Sequence, residues 1–183
     1  MQVAEKNKYT EADYQLLEEG APFQLINGEL IMSPSPLLLH QLIIGNLHFL
    51  IKFFLQQSKI GGLVVLSPMD VRLDEENIFQ PDLLYISEDR KAELVQDRVS
   101  GAPDLVVEIL SPSTAYYDLR QKKDFYERYG VKEYLIVDPL SKYAEVYILK
   151  NEKFILHQKE RQNGTINLNT LPGLQIDLQK LFS

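Results

Sequence analysis

One acid inside an otherwise unbroken apolar run constrains this chain more than any other feature. Residues 102–139 read APDLVVEILSPSTAYYDLRQKKDFYERYGVKEYLIVDP. The run 105–110 is built from Val, Ile and Leu and is interrupted only by Glu108. A Ser-Pro-Ser-Thr helix start follows, then a charged helix, then a second apolar strand over residues 133–138. Strand, helix and strand with short joints is the grammar of an α/β layer.

Periodicity sets the faces of these elements. On a helix, Ala115, Leu119, Lys122, Tyr126 and Tyr129 form one stripe, and Lys122 is its only charge. Arg120, Lys123, Asp124, Glu127 and Arg128 fall elsewhere and are spaced for opposite-sign i,i+4 pairs, as on a solvated face. Lys122 is therefore expected to point at the sheet and Lys123 away from it. On the strand, Asp104, Val106, Glu108 and Leu110 share one face, and Leu105, Val107 and Ile109 the other. A continuous apolar strand is buried on both sides, so Glu108 is carried into an interior. There it costs several kcal/mol (order of magnitude) unless it meets a cation, a metal or hydrogen bonds. The simplest outcome is a structural Glu108–Lys122 pair.

At 183 residues the chain is expected to form a single domain, 1–183, with a substantial core. It has no cysteine, which excludes disulfides, thiolate zinc sites and cysteine nucleophiles. No secretory leader is evident, and no apolar stretch of spanning length lacks polar breaks, so a cytoplasmic protein with no membrane partner is expected. A net charge of −7 argues against a general nucleic-acid coat but leaves room for a local basic groove.

Along the chain, residues 10–19 read as a short helix capped by Thr10 and stopped at Gly20. Residues 23–33 read as a hairpin across Asn27-Gly28. Ser33-Pro34-Ser35-Pro36 caps a long helix to about Ser58, with an inward stripe of His40, Ile44, Leu47, Ile51 and Leu55 and with His48 toward water. Strands are expected over 63–67, 70–73 and 83–86, with a turn at 74–77 and a short helix over 91–95. A second hairpin joins 144–149 to 154–158, and residues 166–168 are expected to pair with it.

Asp82 stands at the mouth of one strand and Glu108 lies within another, while Lys122 turns inward from a helix. Two acids and a lysine suit a hard cation such as Mg²⁺, which keeps several waters and needs few protein carboxylates. Glu29 could add a third acid or be a solvated strand residue. His40 could orient a phosphate or be satisfied within the core. Asp104 reads as a cap at a strand entrance, and Asp118 as support for a helix N-terminus. Ser111, Ser113 and Thr114 read as caps rather than nucleophiles, since no histidine lies near them in sequence. Tyr116, Tyr117, Tyr126, Tyr129 and Tyr134 read as core or interface aromatics before base-stacking ones.

Several motifs carry a resemblance. They are Pro81-Asp82, the run from Ala102 through Glu108 to Thr114, then Asp118, Lys122 and Tyr126, and then Glu133-Tyr134 and Val137-Asp138-Pro139. Asn27-Gly28-Glu29-Leu30, Ser33-Pro34 and His40 extend them upstream. Together they resemble the Uma-two family of restriction-endonuclease-like proteins, in the PD-(D/E)xK nuclease superfamily. The resemblance implies an α/β (α+β) fold with a restriction-endonuclease-like core, a mixed central sheet flanked by helices, and added β-hairpins. It implies a Mg²⁺-dependent endonuclease on DNA (Mn²⁺ substituting), with Asp82 and Glu108 as metal ligands and Lys122 as the active-site lysine. Glu29 and His40 join the catalytic set, and a homodimer is expected to let two sites act on two strands. The superfamily name puts lysine two residues after the second acid, where this chain has Leu110; the role then falls to Lys122. The competing expectations are a catalytically silent nuclease fold that binds DNA or protein, and a metal-free glycosidase using Asp82 and Glu108 as acid and base.

Overall fold

The computed structural model describes residues 7–33, 35–111 and 117–183, with only the backbone of Tyr117 and Asp118. Expectations for Pro34, Ser113, Thr114, Ala115 and Tyr116, and for the side chains of Tyr117 and Asp118, lie outside the described residues.

The chain opens with one helical turn, α1 (Glu11–Tyr14), and the hairpin β1 (Phe23–Ile26) and β2 (Glu29–Met32). The long α2 (Leu38–Ser58) leads to β3 (Leu63–Leu66), the hairpin β4 (Val71–Asp74) and β5 (Asn77–Phe79), and β6 (Leu83–Ile86). Then come α3 (Glu88–Leu94), β7 (Val99–Ser100) and β8 (Leu105–Ile109). A π-helical turn (Tyr117–Lys122) runs directly into α4 (Lys123–Tyr129), and β9 (Glu133–Asp138) follows. The hairpin β10 (Tyr143–Lys150) and β11 (Lys153–Arg161), the pair β12 (Thr165–Asn167) and β13 (Gln175–Asp177), and α5 (Leu178–Leu181) complete it.

A six-stranded sheet in the order β11-β10-β9-β8-β6-β3 is the centre of the molecule. β8 and β9 run parallel, joined through α4, and the other neighbours are antiparallel, so the sheet is mixed. β8 is buried along its whole length, as its composition requires. Leu105, Val107 and Ile109 pack with Ile43, Leu47 and Ile51 of α2. Val106 and Leu110 pack on the opposite face with Tyr126 of α4 and Tyr134 and Ile136 of β9. A five-stranded sheet, β2-β1-β5-β4-β7, adds Ile26 and Phe79 to that second core. The fold is a mixed α+β architecture.

Several expectations give way to tertiary context. α1 is a single turn, closed by Asp13 Oδ2 accepting from the Thr10 backbone N–H and hydroxyl. Past the turn expected at 74–77 lies a strand the sequence did not mark, β5, too short to show a period, which joins β1 to β4. β12 pairs with β13 rather than with the β10–β11 hairpin. Leu119 is exposed, because a π-helical turn is wound more loosely than an α-helix and shifts the phase of residues before Lys122. Lys123 lies 3.4 Å from the centroid of the Tyr147 ring, and desolvation there lowers its pKa. Glu127 accepts from Lys153 and the Phe154 backbone on β11. His48 is half-buried rather than water-facing. α2 is long and apolar enough, by length and composition alone, to span a bilayer despite its polar breaks, yet its inner face is built into the core.

Asp104 ties the entrance of β8 to its surroundings. It accepts from the Ser87 backbone and hydroxyl at 2.8 and 2.9 Å, from Arg90 at 3.0 Å, and pairs with Lys132 at 2.6 Å. Burial alone would raise its pKa, but these donors outweigh it and hold the carboxyl at about 2, from the usual 3.8. A depressed acid stabilises the fold fully above its unfolded pKa and loses that contribution as pH falls through the folded one. Asp104→Asn should therefore cost about 2 kcal/mol at pH 7, a penalty that shrinks as pH falls from about 4 toward 2. Urea denaturation at several pH values measures it; a pH-independent difference would contradict this account.

Candidate functional site

The strand register brings the two acids together. β6 pairs with β8 as Leu83↔Val107 and Leu84↔Val106, so one further step sets Asp82 opposite Glu108. The Ile109 backbone N–H donates to Asp82 Oδ2 at 2.7 Å, which ties the mouth of β6 to the end of β8. His40 approaches the same oxygen, with Nε2 at 3.0 Å. His40 reaches it from the first turn of α2, on the stripe that continues into the core as Ile44, Leu47 and Ile51. Among the described residues, the hydrogen bonds that Asp82 accepts fall on Oδ2, which leaves Oδ1 for a ligand.

Glu108 is 2% exposed and Lys122 is 4% exposed. Lys122 Nζ donates to Glu108 Oε1 at 2.9 Å, and the Tyr126 hydroxyl donates to the same oxygen at 2.8 Å. Lys122 and Tyr126 are four residues apart, so one face of the helix delivers both donors. Leu110, where the superfamily pattern has its lysine, is buried instead among the aromatics of the second core. An ammonium from the following helix thus meets the acid on the strand face that Leu110 shares.

Asp82, Glu108, His40 and Lys122 line one cleft of about 640 Å³. Its other walls are uncharged and mixed, with Gln24, Gln41, Ser67 and Gln80 beside apolar residues such as Pro22, Leu37 and Pro68. Gln24 donates to Ser33 at 2.8 Å and accepts from the Gln80 backbone at 2.8 Å, which fixes the hairpin end against Asp82's own strand. Nothing in the sequence marked Gln24 or Gln80, because a glutamine carries no period or motif. Tyr126 stood on the right stripe and among the motif residues, but read as a core or interface aromatic before a base-stacking one, not as a donor to Glu108. Glu29 is exposed at the turn end of the β1–β2 hairpin, and the residues lining the cleft come from the hairpin's other end. The structure does not bring Glu29 to the other four. Tyr126 and Tyr134 are fully buried against each other, at 5.3 Å between centroids, and do not present a stacking surface. Tyr129 donates its hydroxyl to Asp74.

Asp82 and Glu108 could hold a hard cation through oxygen, with the remaining positions filled by water and phosphate. Among the described residues no three His, Cys, Asp or Glu side chains converge to ligate a metal, so any site here rests on two carboxylates.

Comparison with known proteins agrees with this architecture. The family model described as "Putative restriction endonuclease" (Uma2) matches residues 10–179. An uncharacterised protein of Synechocystis sp. is 30% identical over 153 residues, covering 80% of this chain and 84% of that one. A solved structure from Anabaena variabilis, described as "a putative nuclease belonging to DUF820", matches with a TM-score of 0.78 at 18% identity. That match covers 94% of this chain and 97% of the other, and it speaks for the fold. The chain belongs to the Uma2 family and has a nuclease-type fold.

Proposed function

We propose that this protein is a divalent-cation-dependent endonuclease that hydrolyses DNA phosphodiester bonds in the cleft between α2 and the end of the β6–β8 pair, where β6 begins and β8 stops. The observation that carries the reading is the convergence of Asp82, Glu108 and Lys122, from three separate segments, on one open cleft. Mg²⁺ or Mn²⁺ bound at the two carboxylates would supply charge stabilisation and a more acidic water. His40 and the Ile109 N–H fix the Asp82 carboxylate with one oxygen turned to the cleft. Tyr126 and Lys122 both donate to Glu108 Oε1 and hold that carboxylate in place. The Lys122 ammonium offsets negative charge that develops on a phosphate beside Glu108. Gln24, Gln41, Ser67 and Gln80 in the walls offer hydrogen bonds to a sugar-phosphate backbone without a charge of their own. Two copies would present two such clefts to the two strands of a duplex.

A second reading, a silent nuclease fold that binds DNA or protein, has one specific support. Each acid already has a partner within the protein, Asp82 with His40 and Glu108 with Lys122. Plasmid nicking separates the two. Supercoiled DNA should be nicked in Mg²⁺ or Mn²⁺ and stay intact in excess chelator, and Asp82→Asn should reduce nicking by at least about 100-fold. Nicking that persists in chelator or in Asp82→Asn would end the proposal; a gel shift without cleavage in any divalent cation would choose the second reading.

Lys122 variants need a stability control. Lys122→Met leaves Glu108 buried without its ammonium and should cost about 3 kcal/mol in urea denaturation. Adding Glu108→Gln should recover most of that loss while leaving the protein inactive. A double variant as unstable as the single one would show that the pair is not what the loss measures.

A further inference from the structure

We propose that the outer face of α2 is where two copies of this chain associate. Leu38, Leu42, Gly45, Phe49 and Phe53 recur at helical spacing and lie opposite the stripe buried in the core. Leu38, Leu42, Phe49 and Phe53 are 76, 52, 65 and 52% exposed, and Leu37 at the helix start is 61% exposed. At about 200 Å² for a fully exposed large apolar side chain, these fractions amount to roughly 600 Å². That is the upper end of what a monomer leaves uncovered. It also approaches the roughly 800 Å² that each partner contributes to a stable interface.

The face is shaped to meet itself. Phe49 and Phe53 stack at 5.8 Å and stand out as a ridge. A Cβ built on Gly45, in the middle of the stripe, would meet nothing within 4 Å. Knob and notch on one surface are what a two-fold contact needs, because each copy offers both halves. Charge selects among occupants. Lys52 is the only Asp, Glu, Lys or Arg in α2. Two copies therefore meet without like-charge blocks, although each carries −7 overall. An anionic lipid surface would instead want a basic rim. Leu37 also lines the cleft, so the stripe begins where the candidate site ends. The inference deepens the two-copy part of the proposed function and rests on it only for the idea that two clefts act together; association itself needs neither DNA nor metal.

Sedimentation equilibrium on the full chain, without DNA or metal, tests it. Wild type should be dimeric at micromolar concentration. The double variant Leu42→Glu/Phe49→Glu should weaken the dimer at least about 100-fold and leave the melting temperature of the protomer unchanged, since both side chains are exposed. Cleft variants such as Asp82→Asn should remain dimeric, which separates failure of this inference from failure of the nuclease reading. A wild type that stays monomeric at 100 µM overturns the proposal, as does a double variant that still dimerises. So does monomeric protein that co-sediments with phosphatidylcholine–phosphatidylglycerol vesicles, which would give the face to a membrane.

Discussion

The structure depends on how a carboxylate is kept inside the central sheet. β8 has apolar neighbours on both faces, and Glu108, at 2% exposed, is almost wholly withdrawn from water at the floor of the cleft. An ion removed from water without compensation costs several kcal/mol, more than half the stability of many domains (order of magnitude). Lys122 and Tyr126 answer that cost from one helical face. A buried pair seldom adds net stability over well-packed apolar residues, so packing alone does not account for it. On the reading proposed here the cleft does: the pair opens onto the same space as Asp82, where charge has work to do.

α2 shows how one element serves three demands. Its inner face, with Leu47 and Ile51, fills the core against β8. Its first turn lends His40 to Asp82. Its outer face remains apolar and uncovered within the protomer. An amphipathic surface helix ordinarily shows charge on its outer side, and this one has a single lysine, so its outside is not designed for water.

Much of this was legible in the sequence where a period or a turn signal was strong. The alternation along β8 sorted Leu105, Val107 and Ile109 from Val106, Glu108 and Leu110, and the two cores divide the same way. Asn27-Gly28 marked its hairpin because both residues must take positive φ, and they do, at 52° and 76°. The inward stripe of α2 and the inward turn of Lys122 followed from helical spacing. What escaped was set by partners distant in sequence. β5 is only three residues long and exists because β1 and β4 flank it. Glu29 could not be separated from the acids of the cleft without knowing which end of its hairpin faces inward. Gln24 and Gln80 acquire meaning only when 56 residues of chain return one to the other.

The loose winding between β8 and α4 makes the length of that connection matter. A π-helical turn accommodates an extra residue relative to an α-helix, whereas removing one from an ordinary helix rotates everything beyond it by about 100°. Tyr126 anchors α4 from below by its bond to Glu108 and its ring packing. A deletion between Tyr117 and Gln121 would therefore set the incoming chain and the anchored helix against each other. Substitutions at Leu119 and Arg120 change what the surface shows; insertions and deletions change where the ammonium can go.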